Sequence, residues 1–215
     1  MNERKAIQIC DEILTNSNMT RDIILHNYKD YIFKLHNKNI NTSNLKFDYP
    51  TISQQDFDKK DIDIIFAVTN HIRKGKGSEI MNKIITNNNM NNLTKVVIGD
   101  KFKEVFNVNK IKNCSFLNKL SQSELFSYLK RSKILIIPSI GDASPNILYE
   151  GLHLGCNILI TKNCGNYELF PDISVLEDVD DIDLFIKHIY LLKEHPIDYN
   201  IQNDRKKFSN YLERF

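Results

Sequence analysis

From residue 61 onward the chain alternates short apolar runs with stretches of helical spacing, and this alternation restricts the fold more than any other feature. The runs "DIDIIFAVT", "LTKVVIGD", "NCSFLN", "KILIIPS", "NILITK" and "ISVLED" read as strands, and most are apolar at consecutive positions. A strand that is apolar on both faces needs cover on both sides of its sheet. The intervening segments "GSEIMNKIIT", "SQSELFSYLKRS", "SPNILYEGLHLG" and "DDIDLFIKHIYLLKE" have the spacing of helices, and "GNYELF" starts a short one. Ser121 followed three residues later by Glu124 is a capping box.

Strands alternating with helices imply an α/β domain, a Rossmann-like parallel sheet with helices on both faces, over residues 61–196. Ligands of such sheets sit outside the carboxyl ends of the strands. The preceding residues are organised differently. "DEILTN" reads as a strand, "SNMTRDIILHNY" as a helix capped near Ser17, and "YIFKLHN" as a second strand. They form a short β/α remnant over residues 1–45, joined by a linker at 46–60 within the polar stretch "KNINTSNLKFDYPTISQQDFDKKD". "TNNNMNN" reads as a loop. Residues 197–215 read as an amphipathic helix, with Ile201, Phe208, Tyr211 and Leu212 near one stripe.

Composition excludes several function classes. Apolar residues make up 41% and charged residues 26% of the 215, which supports a packed core and argues against disorder. A net charge of +2 with scattered lysines lacks the basic stripe of a nucleic-acid surface, so no nucleic-acid partner is expected. The N-terminal "MNERKAIQIC" has no apolar core, and no run approaches the roughly 20 apolar residues of a membrane span. The expected location is the cytoplasm, and peripheral membrane contact has no support in the sequence. Cys10, Cys114, Cys156 and Cys164 form no C-x-x-C pair and no Cys/His ligand spacing, so they read as reduced thiols.

The stretch "SIGDASPNILYEGLHLG" at 139–155 carries the chemistry. It places Ser139 to Asp142 at the carboxyl end of a predicted central strand. Ser144 is read as the N-cap of the next helix and Pro145 as its first residue. The N–H groups at Asn146 and Ile147, with the helix dipole, then form a small anion site. Asn146, Glu150 and His153 share one stripe of that helix, with the bulky apolar residues mostly off it. Glu150 is either a solvated surface carboxylate or an acceptor for the paired hydroxyls of a sugar, a task that suits an acceptor-only group.

Asp142 and Glu150 eight residues on, followed by "GLHLGCNILIT" and then by Gly165 and Glu168 in "CGNYEL", resemble the donor-binding half of GT-B glycosyltransferases of family 4. Asp142 stands where that pattern more often has Glu, and Ser144-Pro145 replaces its Phe-Gly. Upstream, "DIIFAVTNHIRKGKGSEI" resembles the first strand and basic loop of the same half, where an Arg and a Lys hold the donor's diphosphate. Arg73 and Lys76 match those roles, with Lys74 as the alternative cation. Gly99 in "VVIGD" follows the family's rhythm, and Asn118 stands where a Gly is usual. "CDEILTNSNMTRDIILHNY" with "FKLHN" is similar to the closing elements of the family's acceptor domain, so the resemblance spans roughly residues 10 to 195.

The resemblance implies a retaining transfer of a sugar from a nucleoside-diphosphate sugar to an acceptor that the sequence does not name. Glu150 would bind the ribose and Asp142 would face the transferred sugar. Ser144, Asn146, Ile147 and Gly99 would border the donor, and no cofactor or metal is implied. A first Rossmann domain of the family has no counterpart in this sequence, so a second copy or a partner chain supplying it is an expected associate. A second reading is a nucleotide-sugar-binding module without catalysis. The Asp-x-Asp pairs Asp56/Asp58, Asp61/Asp63, Asp178/Asp180 and Asp181/Asp183 fall away from the predicted ligand edge and suit helix starts better than a metal. "RKGKGS" has too few glycines and the wrong spacing for a phosphate-binding P-loop.

Overall fold

Consecutive apolar residues become strands that are buried on both faces. The computed structural model describes residues 12–15, 17–34, 39–42, 52–170 and 173–197. The chain divides into two compact units, residues 1–46 with 202–215, and residues 47–201. In the first unit, strands β1 (Glu12–Thr15) and β2 (Asn39–Thr42) pair in parallel, with Glu12 opposite Asn39, and helix α1 (Asn18–Lys34) connects them. The Ser17 hydroxyl accepts the Thr20 N–H at 3.1 Å and starts α1, as the sequence implies. Two expectations change here. Residues 31–34 of "YIFKLHN" continue α1 instead of forming a strand, and the second strand is the polar "NINT", which read as connector.

The second unit opens with the short helix α2 (Gln54–Asp58), capped by Ser53 and holding Phe57 in the interior. Six parallel strands follow: β3 (Ile62–Asn70), β4 (Lys95–Asp100), β5 (Cys114–Leu117), β6 (Ser132–Ile137), β7 (Asn157–Thr161) and β8 (Ser174–Leu176). They lie in the order β5-β4-β3-β6-β7-β8. Helices α3 (Ser78–Thr86) and α6 (Ile182–Glu194) cover one face, packing Met81, Ile84, Phe185 and Ile189 on Ile64, Phe66, Ile134 and Ile136. Helices α4 (Gln122–Arg131) and α5 (Asn146–His153) cover the other, packing Leu129, Leu148 and Leu152 on Ile65, Leu135, Ile158 and Ile160. Neighbouring residues such as Ile64 and Ile65 thus enter opposite halves of the core, which is why the runs are apolar throughout. Full burial of each such side chain contributes roughly 1.5–3 kcal/mol.

Buried polar groups finish the ends of these elements. The Asn157 amide donates to Leu192 O at 2.6 Å and His195 O at 2.7 Å, satisfying carbonyls at the end of α6 that have no partner within the helix. Lys60 donates to Ser132 O and Leu154 O, just past α4 and α5, where a cation suits the helix dipoles. Buried Lys95 donates to Met90 O and Leu93 O at 2.5 and 2.6 Å. These bonds order a stretch expected as loop: Asn88–Met90 forms one 3-10 turn with Met90 in the core. The three described cysteines are free, and burial raises the Cys156 thiol to about 12. No helix of the described residues is long and apolar enough to cross a membrane. Cys10, residues 46–51 of the linker, and the amphipathic helix expected beyond residue 197 lie outside the described residues.

One irregularity in the sheet bears on function. Between the pairs Ala67–Ile98 and Asn70–Asp100, two residues of β3, Val68 and Thr69, oppose the single residue Gly99 of β4. Gly99 has φ 142°, and a Cβ there would lie 2.1 Å from Val68 O and 2.9 Å from the ring of His71. Replacing Gly99 by Ala should therefore lower stability by more than about 2 kcal/mol, read as a shift of the urea midpoint. Gly141→Ala, where nothing lies within 4 Å of the new methyl, should leave that midpoint almost unmoved.

Candidate functional site

Between β3 and β6 the chain reverses its direction of travel across the sheet: β4 and β5 extend one way, β7 and β8 the other. The chain leaves β3 for a helix on one face and β6 for a helix on the other, and such a switch point is where an open parallel sheet has its crevice. A cavity of about 370 Å³ occupies it. Phe66 to Thr69, Ile98 and Ile136 line its base, and Lys76, Lys119, Asp142, Ser144, Asn146 and Glu150 supply its polar wall. The bulge opposite Gly99 belongs to this design, since Val68 and Thr69 both line the cavity. Gly99 itself is buried and does not line it.

Asp142 is fixed by its backbone. Its N–H donates to Asn163 O at 3.1 Å and its carbonyl accepts Gly165 N–H at 2.7 Å, tying the β6–α5 turn to the turn after β7. Its carboxylate pairs with the Lys76 ammonium, and the two side chains are only 14% and 28% exposed. The basic turn is positioned just as firmly. Ile140 N–H donates to Gly75 O at 3.0 Å. Gly77, at φ 71°, lies so close to β6 that a Cβ would sit 1.8 Å from Pro138 O. Residues Lys74–Lys76 form a 3-10 turn that directs Lys76 to the cavity, while Arg73 and Lys74 are exposed and lie outside its lining.

His71, next to this turn, is buried between Phe66 and Phe106, with ring centroids 5.5 and 5.1 Å away, and its Nδ1 bonds the Ser78 hydroxyl at 3.0 Å. Burial lowers its pKa to about 4, with the Ile98 carbonyl and Asp100 opposing. It is a neutral packing residue at the start of α3 and adds no charge to the basic loop.

The start of α5 differs from expectation. Helical residues begin at Asn146, and Pro145, with φ −70° and ψ 113°, is the flanking residue. Ser144 is one position too early to cap. Its hydroxyl accepts instead from the Asn166 amide at 2.9 Å, and the same amide donates to Tyr149 Oη at 2.8 Å. Buried Asn166, at φ 71°, thus holds the turn against the first half of α5. Asn146 and Ile147 remain in the first turn, whose N–H groups have no partner within the helix. Both line the cavity.

Glu150 is half-buried on the cavity wall and not a solvated surface carboxylate. Burial raises its pKa, and a hydrogen bond from the Gln122 side chain at the start of α4 opposes the rise. The sequence reading missed Lys119 and Thr69. Lys119 lies two residues past the end of β5, so its place near a carboxyl strand end was the one available signal. Four of the Asp-x-Asp residues have these structural partners: Lys59 for Asp56, Arg131 for Asp61, the Thr94 N–H for Asp63, and the Leu184 N–H for Asp181, which caps α6.

The Glu150 environment has a signed consequence. Its carboxyl is harder to ionise when folded than when unfolded, so at neutral pH the ionised group opposes folding. Below the ordinary value of 4.5 both states are protonated and the penalty disappears. Glu150→Gln should therefore raise the melting temperature at pH 7, and the gain should shrink as pH falls through the carboxylate range. Melting curves of both proteins across pH 3 to 8 check the sign.

The model of the glycosyl transferases group 1 family matches residues 51–214. Among solved structures, a UDP-forming α,α-trehalose-phosphate synthase from Burkholderia xenovorans is similar, with TM-score 0.68 at 11% identity over 90% of this chain and 55% of that one. Sucrose-phosphate synthase from Thermosynechococcus elongatus gives 0.65 at 12% identity, over 89% and 53%. A chain of a GtfA/B complex gives 0.63 at 13%, over 97% and 44%. The chain spans about half the length of these neighbours, and no curated protein matches it. At such identities the structures establish the fold, which is the Rossmann-like α/β architecture of GT-B glycosyltransferases. The family match covers most of the residues, and with it the chain belongs to the glycosyl transferases group 1.

Proposed function

We propose that this chain is a retaining glycosyltransferase, or the donor-binding half of one, that takes a sugar from a nucleoside-diphosphate sugar. One observation carries the reading: Asp142, Glu150 and Lys76 line a single cavity at the switch point of the sheet. In this reading residues 61–196 form the donor domain and residues 1–45 belong to the acceptor side. Glu150 accepts the two ribose hydroxyls, and Asp142 accepts hydroxyls of the sugar to be moved. The first-turn N–H groups at Asn146 and Ile147 face the diphosphate, with the Ser144 hydroxyl at the same mouth. Lys76 exchanges the Asp142 carboxylate for the diphosphate, which releases Asp142 to the sugar.

Transfer then needs no covalent nucleophile. An acceptor hydroxyl attacks the anomeric carbon from the face on which the diphosphate departs. The bond from that carbon to the diphosphate oxygen breaks as the new glycosidic bond forms, and the hydroxyl proton passes to the departing oxygen. Lys76 balances the charge that grows on the leaving group, with Arg73 and Lys74 on the exposed turn as further cations. A nucleoside-diphosphate donor fits a cytoplasmic enzyme, and a partner chain or second copy supplies acceptor-side contacts. The engagement of Lys76 with Asp142 also favours a second reading, in which donor is held without transfer.

A thermal-shift panel of nucleoside diphosphates and their sugars tests the donor site. A bound ligand at a hundred times its dissociation constant should add about 2.7 kcal/mol of stability. Glu150→Ala should weaken that ligand at least about tenfold, the loss of hydrogen bonds to a charged group. Unchanged affinity would remove Glu150 from the site. Release of free nucleoside diphosphate from the bound donor distinguishes transfer or hydrolysis from binding alone.

A further inference from the structure

Glu150 orders the cavity along its length. At one end Asp142 and Lys76 sit where the chain leaves β6 and β3. Glu150 lies eight residues after Asp142, in the second turn of α5, and its hydrogen-bond partner is the side chain of Gln122. Gln122 is the first residue of α4, three positions after Lys119. The far end of the cavity is therefore the β5–α4 connection, lined by Lys119, Leu120 and Leu125 together with Val68 and Ile98. β5 and β6 are separated by three inter-strand spacings, about 14 Å, so a ligand held at Asp142 and at Lys119 is an extended one.

On the reading given above, the ribose hydroxyls meet Glu150 and the diphosphate runs back toward Lys76. A base leaves the ribose from the carbon beside those hydroxyls, so it points away from the diphosphate and into the Lys119 end. That end is apolar apart from Lys119. Lys119 makes no ion pair among the described residues, and its backbone N–H is held by the Asp100 carboxylate at 3.1 Å. Its ammonium has three donors and no acceptor. Uracil and guanine present a carbonyl oxygen at positions 4 and 6, whereas cytosine and adenine present an amino group at the same places. A donor-only side chain pairs with the first two and leaves the amino group of the others facing a cation. Such a mismatch is what lets a polar site reject a near-identical ligand.

We infer that Lys119 selects the base: the site takes a nucleoside diphosphate whose base carries a carbonyl oxygen at that position, uracil or guanine, and disfavours its amino counterpart. This rests on the donor-site assignment. The experiment is isothermal titration of the whole chain and of Lys119→Met with UDP, CDP, GDP and ADP. Lys119 is exposed, and methionine keeps most of its apolar length, so the fold is undisturbed, which circular dichroism checks. In the native chain UDP should bind at least tenfold more tightly than CDP, or GDP than ADP. In Lys119→Met the ratio should fall toward one. A ratio near or below one in the native chain, or one unchanged in the variant, overturns the inference while leaving the donor site intact. Equal weakening of all four ligands in the variant overturns it too, because Lys119 would then act on phosphate. Binding of none of the four to the native chain overturns the donor-site reading itself.

Discussion

The structure depends on a sheet that water reaches on neither face. Parallel strands require crossover connections, and in this chain helices cover both sides, α3 and α6 on one and α4 and α5 on the other. The strand order then has to reverse somewhere, and it reverses between β3 and β6. At that line no crossover loop bridges the two strands, so their carboxyl ends are where the core opens toward polar loops. The same burial that drives folding therefore decides where a ligand can sit. The charged groups placed there all come from segments that leave the sheet: Lys76 after β3, Lys119 after β5, and Asp142 and Glu150 after β6.

These loops are held mostly by backbone, which is what gives the side chains definite positions. The turn after β3 bonds to the turn after β6 through Ile140 and Gly75, and the latter bonds to the turn after β7 through Asp142, Asn163 and Gly165. Gly77 permits an approach to Pro138 that any side chain would block. Three loops from three adjacent strands thus form one connected rim. A shift in any of them would move the Lys76–Asp142 pair, and enzymes that work by positioning and fixed charge are sensitive to such shifts.

Much of this was legible in the sequence, and what was not has physical causes. Apolar runs at consecutive positions, with the Ser121–Glu124 box and the helical spacing between them, lead directly to the doubly wound sheet. "YIFKLHN" misleads because a short apolar run has no period long enough to separate strand from helix, and α1 simply continues through Lys34. "NINT" becomes a strand because β1 is there to pair with it, not through any preference of its own. Ser144 and Pro145 look like a cap and a first residue by local rules. The long-range bond from Asn166 takes the serine hydroxyl, and the helix starts later. Which of Arg73, Lys74 and Lys76 turns inward depends on a 3-10 turn that three closely spaced cations cannot reveal. Lys119 becomes visible only once β5 is known to border the crevice.

The charges that line the cavity separate structural from ligand-directed roles. Lys76 and Asp142 neutralise each other, so that pair is self-sufficient in the folded chain and no ligand is needed to explain it. Glu150 is different. It is half-buried on a helix whose neighbouring positions Leu148, Gly151 and Leu152 are in the core, and its hydrogen-bond partner is the uncharged Gln122. Ionised, it is desolvated without a cation to compensate, which opposes folding. An uncharged side chain of the same length would pack there more favourably. A carboxylate placed against stability on the wall of the crevice is accounted for, in the proposed reading, when a ligand with paired hydroxyls completes its hydrogen bonds. The penalty carried by Glu150 in the free chain is thus a physical argument for the donor site proposed above.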